Sequence, residues 1–93
     1  MRIVYDEAKR LRIFEERGLD FADAGAVFDG FHMTRGDEKH SDVEDRFITV
    51  GNLHDTIVIV VWTERDEERR IITMWKANDR ERHFYLRHRN RSG

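Results

Sequence analysis

The 93-residue sequence contains no cysteine and no proline. Without cysteine there is neither a disulfide nor a thiolate metal site, which fits a reducing compartment. The absence of proline is compatible with short, regular connections. No apolar run reaches the ~18 residues of a membrane span. The opening "MRIVYDEAKR" lacks the cationic start and long apolar segment of a signal peptide. A cytoplasmic location is therefore expected. No glycine-rich phosphate loop is present. The five histidines, His32, His40, His54, His83 and His88, are scattered. Only His83 and His88 come close, and their i, i+5 spacing does not share a helix face. No metal site and no cofactor is expected. The two serines, Ser41 and Ser92, fall in a polar loop and at the end of the chain, which leaves no basis for a serine triad.

Net charge is -2, and that near-neutrality hides an asymmetry. Residues 1–68 hold 9 Lys/Arg and 17 Asp/Glu, or -8. Residues 69–93 hold 8 Lys/Arg and 2 Asp/Glu, or +6. Either the basic end meets a polyanion or an acidic partner, or the two ends neutralise each other across the fold.

The length implies one small domain, residues 1–93, with residues from about 89 onward expected as a mobile basic tail. "RIVY" reads as a short strand. "DEAKRLRIFEERG" has Ala8, Leu11 and Phe14 at helical spacing, Asp6 as N-cap and Gly18 as stop. "DFADAGAVFDG" gives a second helix with Asp20 as N-cap, a stripe of Phe21, Ala24, Val27 and Phe28, and an end at Gly30. Both stripes are expected to pack in the core. "FHMTRGD" suits a short edge strand and "KHSDVED" a loop. "DRFITVG" is a strand ending at Gly51, followed by "NLHD" as a turn. "TIVIVVWTE" is apolar at successive positions and predicts a central strand covered on both faces. "RDEER" is a hairpin turn and "RIITMW" the returning strand. In the last helix Asn78 and Glu81 have the spacing of a capping box. Helices beside a meander of strands predict an α+β fold. Its small antiparallel sheet carries two N-terminal helices and one C-terminal helix.

The segment "RRIITMWKANDRERHFYLRHRNR" ends a strand in tryptophan beside dense positive charge. Metal-free RNA cleavage needs that palette. The ribose 2′-OH supplies the nucleophile. The protein moves two protons and stabilises charge on the phosphate oxygens. Arginine suits the last task because its fork binds two oxygens, and aromatics hold splayed bases by stacking. Lys76, Arg80, Glu81, Arg82, His83 and Tyr85 lie in this stretch, with Glu81 and Tyr85 four apart on one helix face. Arg46 opens an inner strand and could point to the same place. Each has a plainer reading: Glu81 as a cap, Tyr85 as a core anchor with a wet hydroxyl, Arg80 and Arg82 as solvated cations.

These segments resemble the BrnT toxins of bacterial type II toxin–antitoxin systems. "YDEAKRLRIFEERGLDFADAGAVFDG" is similar to the family's opening, "GDEKHSDVEDRFITVG" to its acidic loop and Glu-x-Arg, and "RIITMWKANDRERHFY" to its ending. The resemblance implies a RelE-like fold, metal-independent endoribonuclease (hydrolase) activity, and an RNA substrate. It also implies a BrnA-like ribbon-helix-helix antitoxin as partner. DNA would be contacted only through that antitoxin, in a complex that represses its own operon. On this resemblance Arg46, the position of Trp75, Lys76, Glu81 and Tyr85 are the catalytic candidates. Lys9, Arg80 and Arg82 are RNA-binding candidates, and Glu44 falls on the Glu-x-Arg. Lys9 either reaches the groove from the first helix or sits on the surface.

Two positions depart from the pattern. Arg17 stands where the family has histidine, and Trp75 where it has arginine. Tryptophan has one N–H donor and no charge. Losing such an electrostatic donor typically costs ~10²–10³ in rate. The expectation is a nuclease weakened or inactivated at position 75. Other readings make Trp75 a base-stacking residue or a core residue at a strand end. Another makes the chain a non-catalytic module that docks the antitoxin, and a last one a basic RNA-binding domain with no antitoxin.

Overall fold

In the computed structural model, which describes residues 1–40 and 44–92, one five-stranded sheet carries helices on both faces. Strand β1 (Arg2–Val4) leads into α1 (Glu7–Arg17). A 3₁₀ turn (Phe21–Asp23) and α2 (Gly25–Asp29) follow, then β2 (His32–Gly36) and a second 3₁₀ turn (Glu38–His40). Strands β3 (Arg46–Leu53), β4 (Thr56–Arg65) and β5 (Glu68–Lys76) form a meander, and α3 spans Asp79–Ser92. The strand order is β1-β5-β4-β3-β2. The expected polar loop "KHSDVED", residues 39–45, lies partly outside the described residues.

The α+β class matches the sequence reading, but the sheet is mixed rather than antiparallel. β1 pairs in parallel with β5, from Arg2 opposite Glu68 to Val4 opposite Arg70. The other neighbours are all antiparallel. The reason is topological. The chain crosses over through α1 and α2, and parallel neighbours require such a crossover.

β4 is the central strand, and its run of apolar residues serves two cores. Val58, Val60 and Trp62 join Ile13, Phe21, Val27, Ile71 and Met74 under α1 and α2. Ile59 joins Val50 and Tyr85 under α3, with Ile48, Trp75 and Leu86 packed against them. Buried Trp62 donates its Nε1–H to Thr49 Oγ1 at 2.8 Å. Arg69 lies over the Phe28 and Trp62 rings, at 3.6 and 4.5 Å from their centroids, and burial lowers its pKa.

The caps fall where the sequence puts them. Asp6 accepts from the Lys9 N–H, and Gly18 ends α1 at φ 71° with its N–H on Phe14 O. The expected second helix is two pieces, broken between Asp23 and Gly25, yet its stripe holds. Phe21, Ala24 and Val27 are fully buried. α1 differs. Leu11 and Phe14 are each 52% exposed, and Ala8 is exposed too. The face turned to the sheet is Arg10, Ile13 and Arg17, with Lys9 beside it. Its cations are satisfied internally: Arg10 grips Asp20 with Nε–Oδ1 2.7 Å and Nη2–Oδ2 3.1 Å. Arg17 Nη1 donates to Met74 O at 2.6 Å. The stems of such side chains pack as hydrocarbon while their heads find acceptors.

β3 runs two residues past Gly51, so the first turn is only His54–Asp55. Both hairpins are two-residue loops with positive φ at both positions: 48° and 68° at His54 and Asp55, 54° and 63° at Asp66 and Glu67. That is the type I′ geometry that matches strand twist. At Gly51 a Cβ would meet Val27 Cγ1 at 2.6 Å, so α2 packs directly on the β3 backbone.

Candidate functional site

β5 alternates regularly at its end. Trp75 pairs with Ile59 and faces the α3 side, whereas Lys76 pairs with Val58 and is exposed. Between Val61 and Trp62 the β4–β5 register shifts: Val61 faces Thr73 and Trp62 faces Ile71, which leaves Ile72 as an extra residue. Such a bulge re-aims side chains. Here it lets two consecutive residues, Ile72 and Thr73, line one hollow, while Ile71 and Met74 return to the core face.

That hollow has a volume of about 780 Å³. Arg46, Ile48, Thr73 and Trp75 come from the sheet. Arg35, Asp37, Glu38 and Lys39 come from the end of β2 and the turn after it. The Nε of Arg46 is buried and has no hydrogen-bond partner among the described residues. An orphaned donor of this kind is costly unless something occupies it.

α1 adds cations to the same region. Arg17 Nη1 reaches Thr73 Oγ1 at 3.2 Å as well as the Met74 carbonyl. Lys9 is half-buried. Its pKa is lowered by burial first, then by the positive charges of Arg12 and Arg46, with Arg17 adding and Asp6 opposing. Like charges gathered at one place disfavour one another and favour a bound anion. The hollow is not purely cationic, since Asp37 and Glu38 share its wall.

Of the sequence candidates, Arg46 and Trp75 line one hollow, and Lys9 is electrostatically coupled to Arg46. The others stand apart. Lys76 is on the opposite side of β5 from Trp75. Tyr85 is 1% exposed, with its hydroxyl donating to Phe31 O at 3.0 Å. Glu81 closes a capping box: Asn78 N–H donates to Glu81 Oε1, and Glu81 N–H to Asn78 Oδ1, both at 2.8 Å. Arg80 and Glu81 line a separate groove. Arg82 is exposed, 3.7 Å from Asp79. Glu44 lies 3.8 Å from Arg65, at the surface. Neither Lys76 nor Tyr85 lines the hollow that holds Arg46. Arg35, Lys39 and Thr73 belong to the site without having been expected there. Only the edge position of β2 and the i, i+3 spacing of Ile71 and Met74 hint at them.

Residues 5–81 match the family model described as ribonuclease toxin, BrnT, of type II toxin-antitoxin system. The chain belongs to this family. No curated protein matches the chain. The matched segment contains α1, the Arg46–Trp75 hollow and the capping box, and it ends before Tyr85. For a BrnT toxin the family implies an RNA target and an antitoxin partner. Among the described residues no helix is long and apolar enough to cross a membrane.

Proposed function

We propose that this BrnT toxin grips RNA in the hollow between Arg46 and Trp75, and that its cleavage there is weakened by tryptophan at position 75. What supports the reading is that Arg46, whose buried Nε has no hydrogen-bond partner among the described residues, lines the same hollow as Trp75. The scissile phosphate sits against Arg46, with Arg17 and Lys9 approaching from α1. The 2′-OH gives up its proton and attacks the adjacent phosphorus, the P–O5′ bond breaks, the 5′-oxygen takes up a proton and leaves as a hydroxyl, and a 2′,3′-cyclic phosphate remains. Lys9, whose charged form is disfavoured by burial and by the Arg12 and Arg46 charges, is the proton carrier in this reading. Arg46 stabilises the charge that grows on the phosphorane oxygens. Trp75 offers a ring face for a base but no second fork for the phosphate. Lys76, Glu81 and Tyr85 carry no part of the step in this reading.

The test is Trp75→Arg. Expression of the variant should become toxic, and cleavage of a single-stranded RNA in EDTA should rise ~10²–10³-fold. Adding Arg46→Gln to that variant should abolish the gain. A harmless Trp75→Arg protein with unchanged RNA integrity would overturn the reading. The second reading, a module that docks an antitoxin without cutting RNA, is favoured by the same tryptophan, because Trp75 also packs against the Val50–Ile59–Tyr85 core. On that reading antitoxin binding survives in a chain that never cleaves, before or after the substitution. The antitoxin would be of the BrnA-like ribbon-helix-helix kind.

A further inference from the structure

α3 covers only part of its sheet face. Tyr85 and Leu86 pack down, but Phe84 is 52% exposed at the mouth of a groove of about 370 Å³. Met33, Ile48, Val50 and Ile59 form its apolar floor. Two exposed cations, Arg35 on β2 and Arg80 on α3, stand at its sides. The one carboxylate there, Glu81, is already held by the Asn78 N–H. An apolar trough with cations on both banks selects an amphipathic segment with acidic flanks. Arg35 and Ile48 line this groove and also the RNA hollow, so they are a common wall between the two.

We infer that the groove between β2 and α3 seats an acidic, amphipathic segment of the antitoxin, and that Arg35 couples this seat to the RNA hollow. The inference rests on the family-level reading that an antitoxin exists. The segment's apolar side chains bury Phe84 and the floor. Its carboxylates pair with Arg80 and draw Arg35 away from the hollow. The toxin thereby loses a cation facing RNA without its active hollow being filled. The rival surface is the exposed Ala8–Leu11–Phe14 stripe of α1, none of whose residues lines the groove or the hollow.

The probe is the antitoxin encoded in the same operon, titrated into the full chain by calorimetry. Phe84→Glu and Arg35→Gln should each weaken binding about tenfold or more. Leu11→Glu, on the rival stripe, should change it by less than about twofold. Arg35→Gln should also flatten the salt dependence of the affinity. Circular dichroism checks that each variant is folded, and all three substitutions are at exposed positions. Weakening by Leu11→Glu alone would move the docking site to α1 and overturn the inference. So would a chain that dimerises through Phe84 while its antitoxin affinity ignores that residue. If the unaltered chain does not bind the antitoxin at all, the partner reading itself fails. If binding is strong and merely insensitive to Phe84 and Arg35, only the groove is wrong.

Discussion

Lys9 is the residue whose environment says most about the site. Its neighbours Arg12, Arg46 and Arg17 all repel its charged form, and burial adds to them. Its folded pKa lies below its unfolded one, so the unfolded chain holds the extra proton between those two values. Stability therefore rises with pH through that window, which ends near the ordinary 10.5. An NMR titration of the Lys9 side chain should give a midpoint below that of an exposed lysine. Arg46→Gln should raise it, and so should sulfate. A midpoint indifferent to Arg46 would dissolve the cation cluster. Asp20 has the opposite sign. The Arg10 hydrogen bond holds its carboxyl below the usual 3.8. Its stabilisation is present above that value and is lost as pH falls through the lowered pKa. In urea titrations from about pH 5 to about pH 2, Asp20→Asn should flatten part of the acid loss. The caps Asp6, Gly18, Asn78 and Glu81 were legible because each is settled within four residues. The inward turn of Arg10 and Arg17 was not, because their acceptors, Asp20 and the Met74 carbonyl, are supplied by the tertiary fold. Leu11 and Phe14 looked like core for the same reason.

Among the elements, the strands were the most readable and their pairing the least. The apolar run of β4 showed that both its faces are covered. Nothing local announced that β1 lies parallel to β5, or that Ile72 is an extra residue. The bulge decides which side chains meet Trp75, so the sequence named Arg46 and Trp75 of the candidate hollow's wall but not Thr73, Arg35 or Lys39. The hairpins also carry a measurable cost. Glu67 holds a left-handed backbone at φ 63° without being glycine. That conformation costs an L-residue roughly 1–2 kcal/mol. Glu67→Gly should therefore stabilise the fold by about 1 kcal/mol and raise Tm by about 4–8 °C, read by calorimetry. An unchanged or lowered Tm would mean that the Glu67 side chain contributes more than its backbone costs.

At the scale of the molecule, the two faces of the sheet do different work. One is sealed by α1 and α2. The other holds the partly covered α3 face, with the Arg46–Trp75 hollow and the groove on either side of Arg35 and Ile48. Both edges of the sheet depend on distant partners, and the β1 edge depends on the latest strand in the chain. A chain ending at Arg65 keeps α1, α2, β2 and two strands of the meander but lacks α3 and β5, and with β5 the lodging of β1 and of Arg17. It should show no cooperative thermal transition and weak near-ultraviolet dichroism. A cooperative unfolding curve from that chain would show that β5 is dispensable.

The parallel pairing of the first strand with the last has a consequence during synthesis. A nascent chain emerging from the ribosome carries Arg17 long before it carries the strand that anchors it. Until residues 68–76 have cleared the exit tunnel, Arg17 lacks its Met74 acceptor. The hollow, whose wall includes Ile72, Thr73 and Trp75, is therefore completed only late in synthesis.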